Sequence, residues 1–175
     1  YVGNSLNEVQ PHLFADADVA GCATTQRSTS GLHLCIRGSK TCFPIAGQSK
    51  RQGCVSHSTP EAEIVAADFG CRLSGLPALD LWHVLLPHKP PLLLHEDNQA
   101  MIHVINTGRN PTMRYLLRTH RVSVSSLHEV FNGADIVLMY EDSAKMAADI
   151  YIKGFTRKQK WEQVCGIINV SDPKL

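Results

Sequence analysis

Four carboxylates on well-separated stretches carry the chemistry this chain has to offer: Asp16, Glu63, Asp97 and Asp149. Asp97 stands in Pro91-Leu92-Leu93-Leu94-His95-Glu96-Asp97-Asn98-Gln99-Ala100-Met101, where three leucines after a Pro pair read as a short buried strand. Ala100, Met101, Val104 and Ile105 then recur at helical spacing, so a helix starts just beyond Asn98. A carboxylate at the C-terminal end of a central strand, beside a helix start, sits where α/β sheets place their ligands. The plainer reading is that Asp97 or Asn98 caps the helix. Other acids converging on the same point would decide between the two. Asp16, with Asp18 as its rival on the same strand face, comes from an early strand; Glu63 comes from a helix and Asp149 from a late short helix. None has a cation read within sequence reach, and clustered carboxylates repel unless a cation neutralises them. The set therefore predicts a metal site, and its all-oxygen donors favour Mg²⁺, with Mn²⁺ as the alternative, over zinc.

The elements that must position these acids follow from the pattern. Residues 1–11 are a lead-in without a clear period. His12 to Val19 is a strand with Leu13, Ala15 and Ala17 on one face and Phe14, Asp16 and Asp18 on the other. Leu32 to Arg37 and Thr41 to Ile45 form a hairpin around Gly38-Ser39, and Pro44 puts its second strand at a sheet edge or a bulge. Gln48 to His57 reads as irregular. Ser58-Thr59-Pro60-Glu61 starts a helix that runs, with a break near Gly75 or Pro77, towards Leu86. Glu61 and Glu63 point to different sides of it, so Glu63 faces the sheet and Glu61 is the solvated or capping acid. A helix over Thr119–Phe131, a strand over Asp135–Tyr140, a short helix over Lys145–Ile152 and an amphipathic segment over Trp161–Ile168 complete the order. This order predicts an α/β fold with a five-stranded mixed sheet and helices on both faces, in one domain over residues 12–155 and a tail over 156–175.

Composition sets the outer bounds. The 175 residues suffice for one domain with a real core, and 43% hydrophobic with 19% charged residues describe a globular chain. No apolar run is long enough to span a bilayer. Six cysteines without a CxxC pair or a preceding secretory signal read as reduced thiols of an intracellular protein. A net charge of +1 excludes a generally basic nucleic-acid binder, leaving only local patches for that role. One such patch stands out. Between Asn98 and His128 there is no acid, while Arg109, Arg114, Arg118 and Arg121 fall in that window. Arg114, Arg118 and Arg121 recur at spacings of four and three, so a helix through them would align all three for phosphates. His120 lies among them as a structural or phosphate-contacting group.

Six motifs occur in a fixed order: Phe14-Ala15-Asp16-Ala17-Asp18-Val19-Ala20-Gly21, Arg27-Ser28-Thr29-Ser30-Gly31, Ser49-Lys50-Arg51-Gln52, Ser58-Thr59-Pro60-Glu61-Ala62-Glu63, Glu96-Asp97-Asn98-Gln99-Ala100 and Ala148-Asp149-Ile150. Over residues 12–155 the chain resembles the ribonuclease H domain that ends the polyprotein of Copia-type LTR retrotransposons. The resemblance implies a ribonuclease H-like fold, two-metal hydrolysis of the RNA strand of RNA–DNA hybrids, and Asp16, Glu63, Asp97 and Asp149 as the catalytic metal ligands, which selects Asp16 over Asp18. It implies reverse transcriptase, other polyprotein segments or a larger assembly as protein partners, and Asn98 and Gln99 beside the substrate. The sequence departs from the family at Val19 and Gly47, where tryptophan is usual, and at Ile152 and Gly154, where Thr and Pro are usual. The two missing tryptophans, with a sequence that starts at Tyr1 rather than Met, motivate a second expectation: a retrotransposon-derived domain retained as a non-catalytic structural or binding subunit of a larger assembly.

Overall fold

The computed structural model describes residues 2–86 and 88–170. Five strands form one sheet: β1 Gln10–Asp18, β2 Thr29–Gly38, β3 Thr41–Arg51, β4 Leu92–Glu96 and β5 Ile136–Tyr140, in the order β3-β2-β1-β4-β5. The β1–β2 and β2–β3 pairs are antiparallel, while β1–β4 and β4–β5 are parallel. The mixed sheet expected from the element order is therefore present. β2 and β3 run further than the apolar pattern suggested. Residues 48–51, read as irregular, continue β3 as an edge strand, because Thr29 to Leu32 offer it a partner backbone. The register slips between Leu34 and Cys35, opposite Ala46 and Pro44, so Pro44 sits at both an edge and a bulge.

Helices cover both faces. On the first, α1 (Thr59–Gly70) begins where the Ser58 hydroxyl accepts the Glu61 N–H, and Pro60 pre-sets the first turn. A π-helical turn over Cys71–Gly75 joins it to α2 (Leu76–Leu85), so the expected break is a widened turn within a continuous rod. α3 (Gln99–Thr107) is capped by Asn98 and closed by Gly108 at φ 66°, a left-handed position that suits glycine. α4 (Leu116–Thr119) is a single turn and α5 (Val124–Phe131) follows it. These helices enclose the main core, with Leu13, Ala15, Leu32, Leu34, Ile64, Leu92, Leu94, Met101 and Ile105 all buried. The second face carries Phe14 and Cys35 under a 3-10 segment, Ala147–Tyr151, and α6 (Lys158–Ile167).

The lead-in is tied down more than its lack of period implied. Gly3 and Asn4 donate backbone N–H groups to the Thr41 hydroxyl, Val9 is buried, and β1 already begins at Gln10. At the other end, Val164 and Ile168 pack α6 down, and residues 171–175 of the expected tail lie outside the described residues. Among the described residues no helix is long and apolar enough to cross a membrane.

Candidate metal centre

The end of β1 and the end of β4 lie side by side in a parallel pair, which brings Asp16 and Asp97 to one edge of the sheet, the edge formed by the C-terminal ends of these two central strands. α1 crosses over β1 with the small Ala62 and Ala66 against Ala17, so the helix approaches closely and Glu63 reaches the same edge. One carboxylate oxygen each from Asp16, Glu63 and Asp97 falls within 4.8 Å of the others. Asp16 and Glu63 are buried, and Asp97 is half-exposed. Ser143 Oγ donates to Asp97 Oδ2 at 2.7 Å.

Asp149 joins from the second face. The 3-10 segment that carries it passes over β2 at Gly31, directly opposite Asp16 in the β1–β2 register. A Cβ at Gly31 would stand 2.9 Å from the Ala148 carbonyl and 2.7 Å from Ile152 Cγ2, so the missing side chain is what allows that approach. Asp149 then comes near Asp16, the two joined through the Lys153 ammonium, and it stands outside the tight group of three.

A lysine completes the arrangement, contrary to the expectation that no cation lay in reach. Lys153 Nζ bonds Asp149 Oδ1 and lies 3.4 Å from Asp16 Oδ2. Four-residue spacing from Asp149 was the available signal, since the turn brings such residues together. Burial works to lower the Lys153 pKa, but its bond to Asp149 and the charges of both aspartates outweigh it and leave the ammonium more basic than usual.

The electrostatics of the cluster show the cost of collecting these acids. Burial pushes the Asp16 pKa up to about 8, helped by the hydrogen bond with Asp149 and the charges of Asp149 and Asp97, and opposed by Lys153. Burial raises Glu63 to about 11, followed by the charges of Glu96, Asp16 and Asp97. Glu96, the neighbour of Asp97 in the chain, is fully buried. Its Oε1 accepts the Asn98 N–H at 3.0 Å, while burial raises its pKa well above the usual carboxylate range. Oε2 of Glu63 and Oε2 of Glu96 are buried with no hydrogen-bond partner among the described residues. Two orphaned buried carboxylate oxygens, beside hard oxygen donors only, fit a divalent cation such as Mg²⁺ or Mn²⁺.

Other expected residues separate into groups. Asp18 turns away from the cluster: it accepts the Thr29 N–H and fills the space over Gly21. Asn98 caps α3, its Oδ1 accepting the Met101 N–H at 3.0 Å, and Gln99 is exposed at the first helical position. Glu61 is not the solvated acid. It is fully buried, accepting the Tyr115 hydroxyl at 2.7 Å and the His57 N–H at 2.9 Å. Its Oε1 lies 3.4 Å from Nε2 of His120, whose side chain is 1% exposed. The helix-face argument missed this because Tyr115, from a distant loop, folds over the first turn of α1 and makes a third side for it to face.

The three arginines do not share a helix face. α4 contains only Arg118; Arg114 precedes it and Arg121, at φ 60°, lies beyond its end. The chain leaves the helix at Arg121 because Val122 is buried in the core and Ser123 caps α5 through the Ser126 N–H. All three guanidinium side chains remain exposed. Arg114 borders a groove with Arg109, whereas Arg121 borders another with Lys50, Arg51 and Arg72.

Solved structures share this architecture. LC11-RNase H1, isolated from compost, superposes with a TM-score of 0.50 at 13% identity, covering 82% of this chain and 92% of its own. An N-terminal RNase H domain from Mycobacterium tuberculosis gives a TM-score of 0.50 at 14% identity, covering 82% and 91%. The fold is ribonuclease H-like. No protein-family model matches the sequence, and no curated protein matches it.

Proposed function

We propose that the chain is a divalent-metal-dependent nuclease that hydrolyses the RNA strand of RNA–DNA hybrids, of the kind that ends Copia-type retrotransposon polyproteins. The observation that carries this reading is the meeting of Asp16, Glu63 and Asp97 within 4.8 Å at one sheet edge of a ribonuclease H-like fold, with Asp149 beside Asp16 across the Lys153 ammonium. Asp16, Glu63, Asp97 and Asp149 are the groups to hold Mg²⁺ or Mn²⁺. The chemistry such ions supply is Lewis-acid polarisation of a phosphoryl oxygen and a water made acidic enough to attack it. The chain itself does the rest. The buried Asp16 and Glu63 present fixed oxygens that need no reorganisation, and Ser143 holds the Asp97 carboxylate in place. Asn98 orients the strand end by capping α3, and in this reading the exposed Gln99, Arg114, Arg118 and Arg121 are the groups that would meet sugar and phosphate without reading bases. Choice of RNA rests on contacts to the 2′-hydroxyl.

A second reading has its own observation: Lys153 already supplies a cation to Asp16 and Asp149, so the site retains partial charge balance as a non-catalytic subunit. One assay separates the two. A hybrid labelled on the RNA strand is incubated with the protein, with and without Mg²⁺. Metal-dependent cleavage that disappears in Asp97→Asn, with the melting temperature retained, supports the nuclease. Absence of cleavage with Mg²⁺ and with Mn²⁺ favours the non-catalytic domain.

A further inference from the structure

Glu63 enters the metal centre from the first turns of α1, where apolar packing is thin. The contacts around it are alanines, Ala62 and Ala66 against Ala17, which let the helix come close but offer only methyl groups to bury. Ile64, the first large apolar side chain of the helix, comes only after Glu63. The charges of Glu96, Asp16 and Asp97 meanwhile press on Glu63 and work to lift the helix start off the sheet. Apolar contact alone does not account for its place.

Two residues earlier, the fully buried Glu61 carboxylate reaches three separate parts of the chain. Its Oε2 accepts the His57 N–H at 2.9 Å, from the loop ahead of the helix, and the Tyr115 hydroxyl at 2.7 Å, from just before α4. Its Oε1 faces Nε2 of His120 at 3.4 Å, beyond the end of α4, and neither atom has another partner among the described residues. A carboxylate in such a place is costly unless groups of this kind surround it, and Ser58 already caps the helix, so capping does not explain it. A second tie lies beside the first. The Ala62 carbonyl accepts Nε2 of the buried Gln52 at 2.9 Å, and the Ser56 hydroxyl donates to Gln52 Oε1 at 2.9 Å. Both residues ahead of Glu63 are thus fastened to chain outside the helix.

We propose that Glu61 is a positioning residue: it latches the first turn of α1 to Tyr115 and His120, and so keeps Glu63 aimed into the acidic cluster against the repulsion of the other acids. It acts through the helix backbone, since its two oxygens are taken up by Tyr115, His57 and His120 rather than turned to the cluster. Two positions apart on a helix, Glu61 and Glu63 point in different directions, so the first is gripped by the loops while the second enters the site. The proposal rests on the reading of Glu63 as a metal ligand and not on which nucleic acid is cut.

The test compares Tyr115→Phe and Glu61→Gln with the parent. Tyr115 is half-buried and its loss of a hydroxyl leaves Glu61 with His57 and His120, so this variant folds even where Glu61→Gln does not. The control is Ile136→Val, which trims the core at the start of β5, away from the strand ends that carry the acids. Two quantities are read: Mn²⁺ affinity by calorimetry and, in EDTA, hydrogen exchange of the Ala62 amide, which bonds the Ser58 carbonyl in the first turn. Tyr115→Phe should weaken Mn²⁺ binding about fivefold, the scale of one hydrogen bond, and Glu61→Gln about tenfold. Exchange at Ala62 should quicken by about the same factors, as a local opening of the turn. Ile136→Val should lower the melting temperature and leave both quantities at the parental value. Parental Mn²⁺ affinity in Tyr115→Phe overturns the proposal. An equal loss of affinity in Ile136→Val also overturns it, because general stability is then the cause. A parent that binds no Mn²⁺ defeats the metal reading instead, and exchange at Ala62 then decides alone: unchanged exchange in Tyr115→Phe sinks the latch, and faster exchange upholds it.

Discussion

Lys153 Nζ lies against both Asp149 and Asp16, 3.4 Å from the latter's Oδ2, so the acidic cluster has a tethered cation on the side facing the second face of the sheet. Removing it should have two opposite effects. Lys153→Met leaves the aspartates without their counter-charge, so the metal-free protein melts at a lower temperature. The same loss removes a competitor, so Mn²⁺ binds more tightly in a calorimetric titration. Equal Mn²⁺ affinity together with an unchanged melting temperature would show that the lysine is a bystander.

Gly31 is the point where the 3-10 segment rests on β2. Gly31→Ala puts a methyl against the Ala148 carbonyl, a backbone atom with little room to yield, and overpacking of that kind costs about 1–3 kcal/mol. Since Asp149 rides on the displaced segment, Mn²⁺ affinity should fall along with stability. A variant that loses stability and keeps its full affinity would mean that Asp149 does not contribute to the site.

The second face carries an imidazole row. His12 Nδ1 lies 2.8 Å from His95 Nε2, and His95 stacks on Phe14 at 4.1 Å. Burial lowers the pKa of His12 to about 3, with the charges of His95 and Arg37 adding to it; burial and Arg37 lower His95 and His33 to about 4. A histidine depressed in the folded state contributes stability above its unfolded value of 6.5 and loses it as pH falls towards the folded value. The raised acids of the metal centre act in the other direction, binding protons more tightly when folded. Comparison of wild type with His12→Gln isolates the imidazole: the variant should lose less stability between pH 6.5 and pH 4. Parallel melting-temperature curves over that range would rule this out.

Gly47, where the resembled family has tryptophan, has its space taken. A Cβ there would stand 2.0 Å from the Tyr151 hydroxyl, which bonds His33 Nδ1 at 3.0 Å. Gly47→Ala should therefore destabilise by about 1–2 kcal/mol, and Tyr151→Ala should cancel most of that penalty in a double-mutant cycle. Additive losses in the double variant would separate the two residues.

The sequence announced the sheet edge better than it announced its surroundings. Asp97 and Asn98 were legible because a strand stop and a helix cap are both local, and Asn98 does cap α3 while Asp97 joins the cluster. Glu61 was misread since its burial comes from Tyr115, more than fifty residues away, and no periodicity reports such a contact. The arginine face failed for a related reason. Spacing assumes a continuous helix, and the burial of Val122 breaks it at Arg121. The length of β3 escaped because an edge strand of polar residues owes its form to its neighbour's backbone rather than to its own side chains.

The segment that bears Asp149 is also the last of the four acid-bearing elements to leave the ribosome. Asp16, Glu63 and Asp97 are all in place once β4 and α3 have formed, yet the clamp at Gly31 and the ammonium of Lys153 arrive only with residues 147–153. The fourth acid and the lysine that balances it therefore enter the arrangement together, on one short segment of the chain.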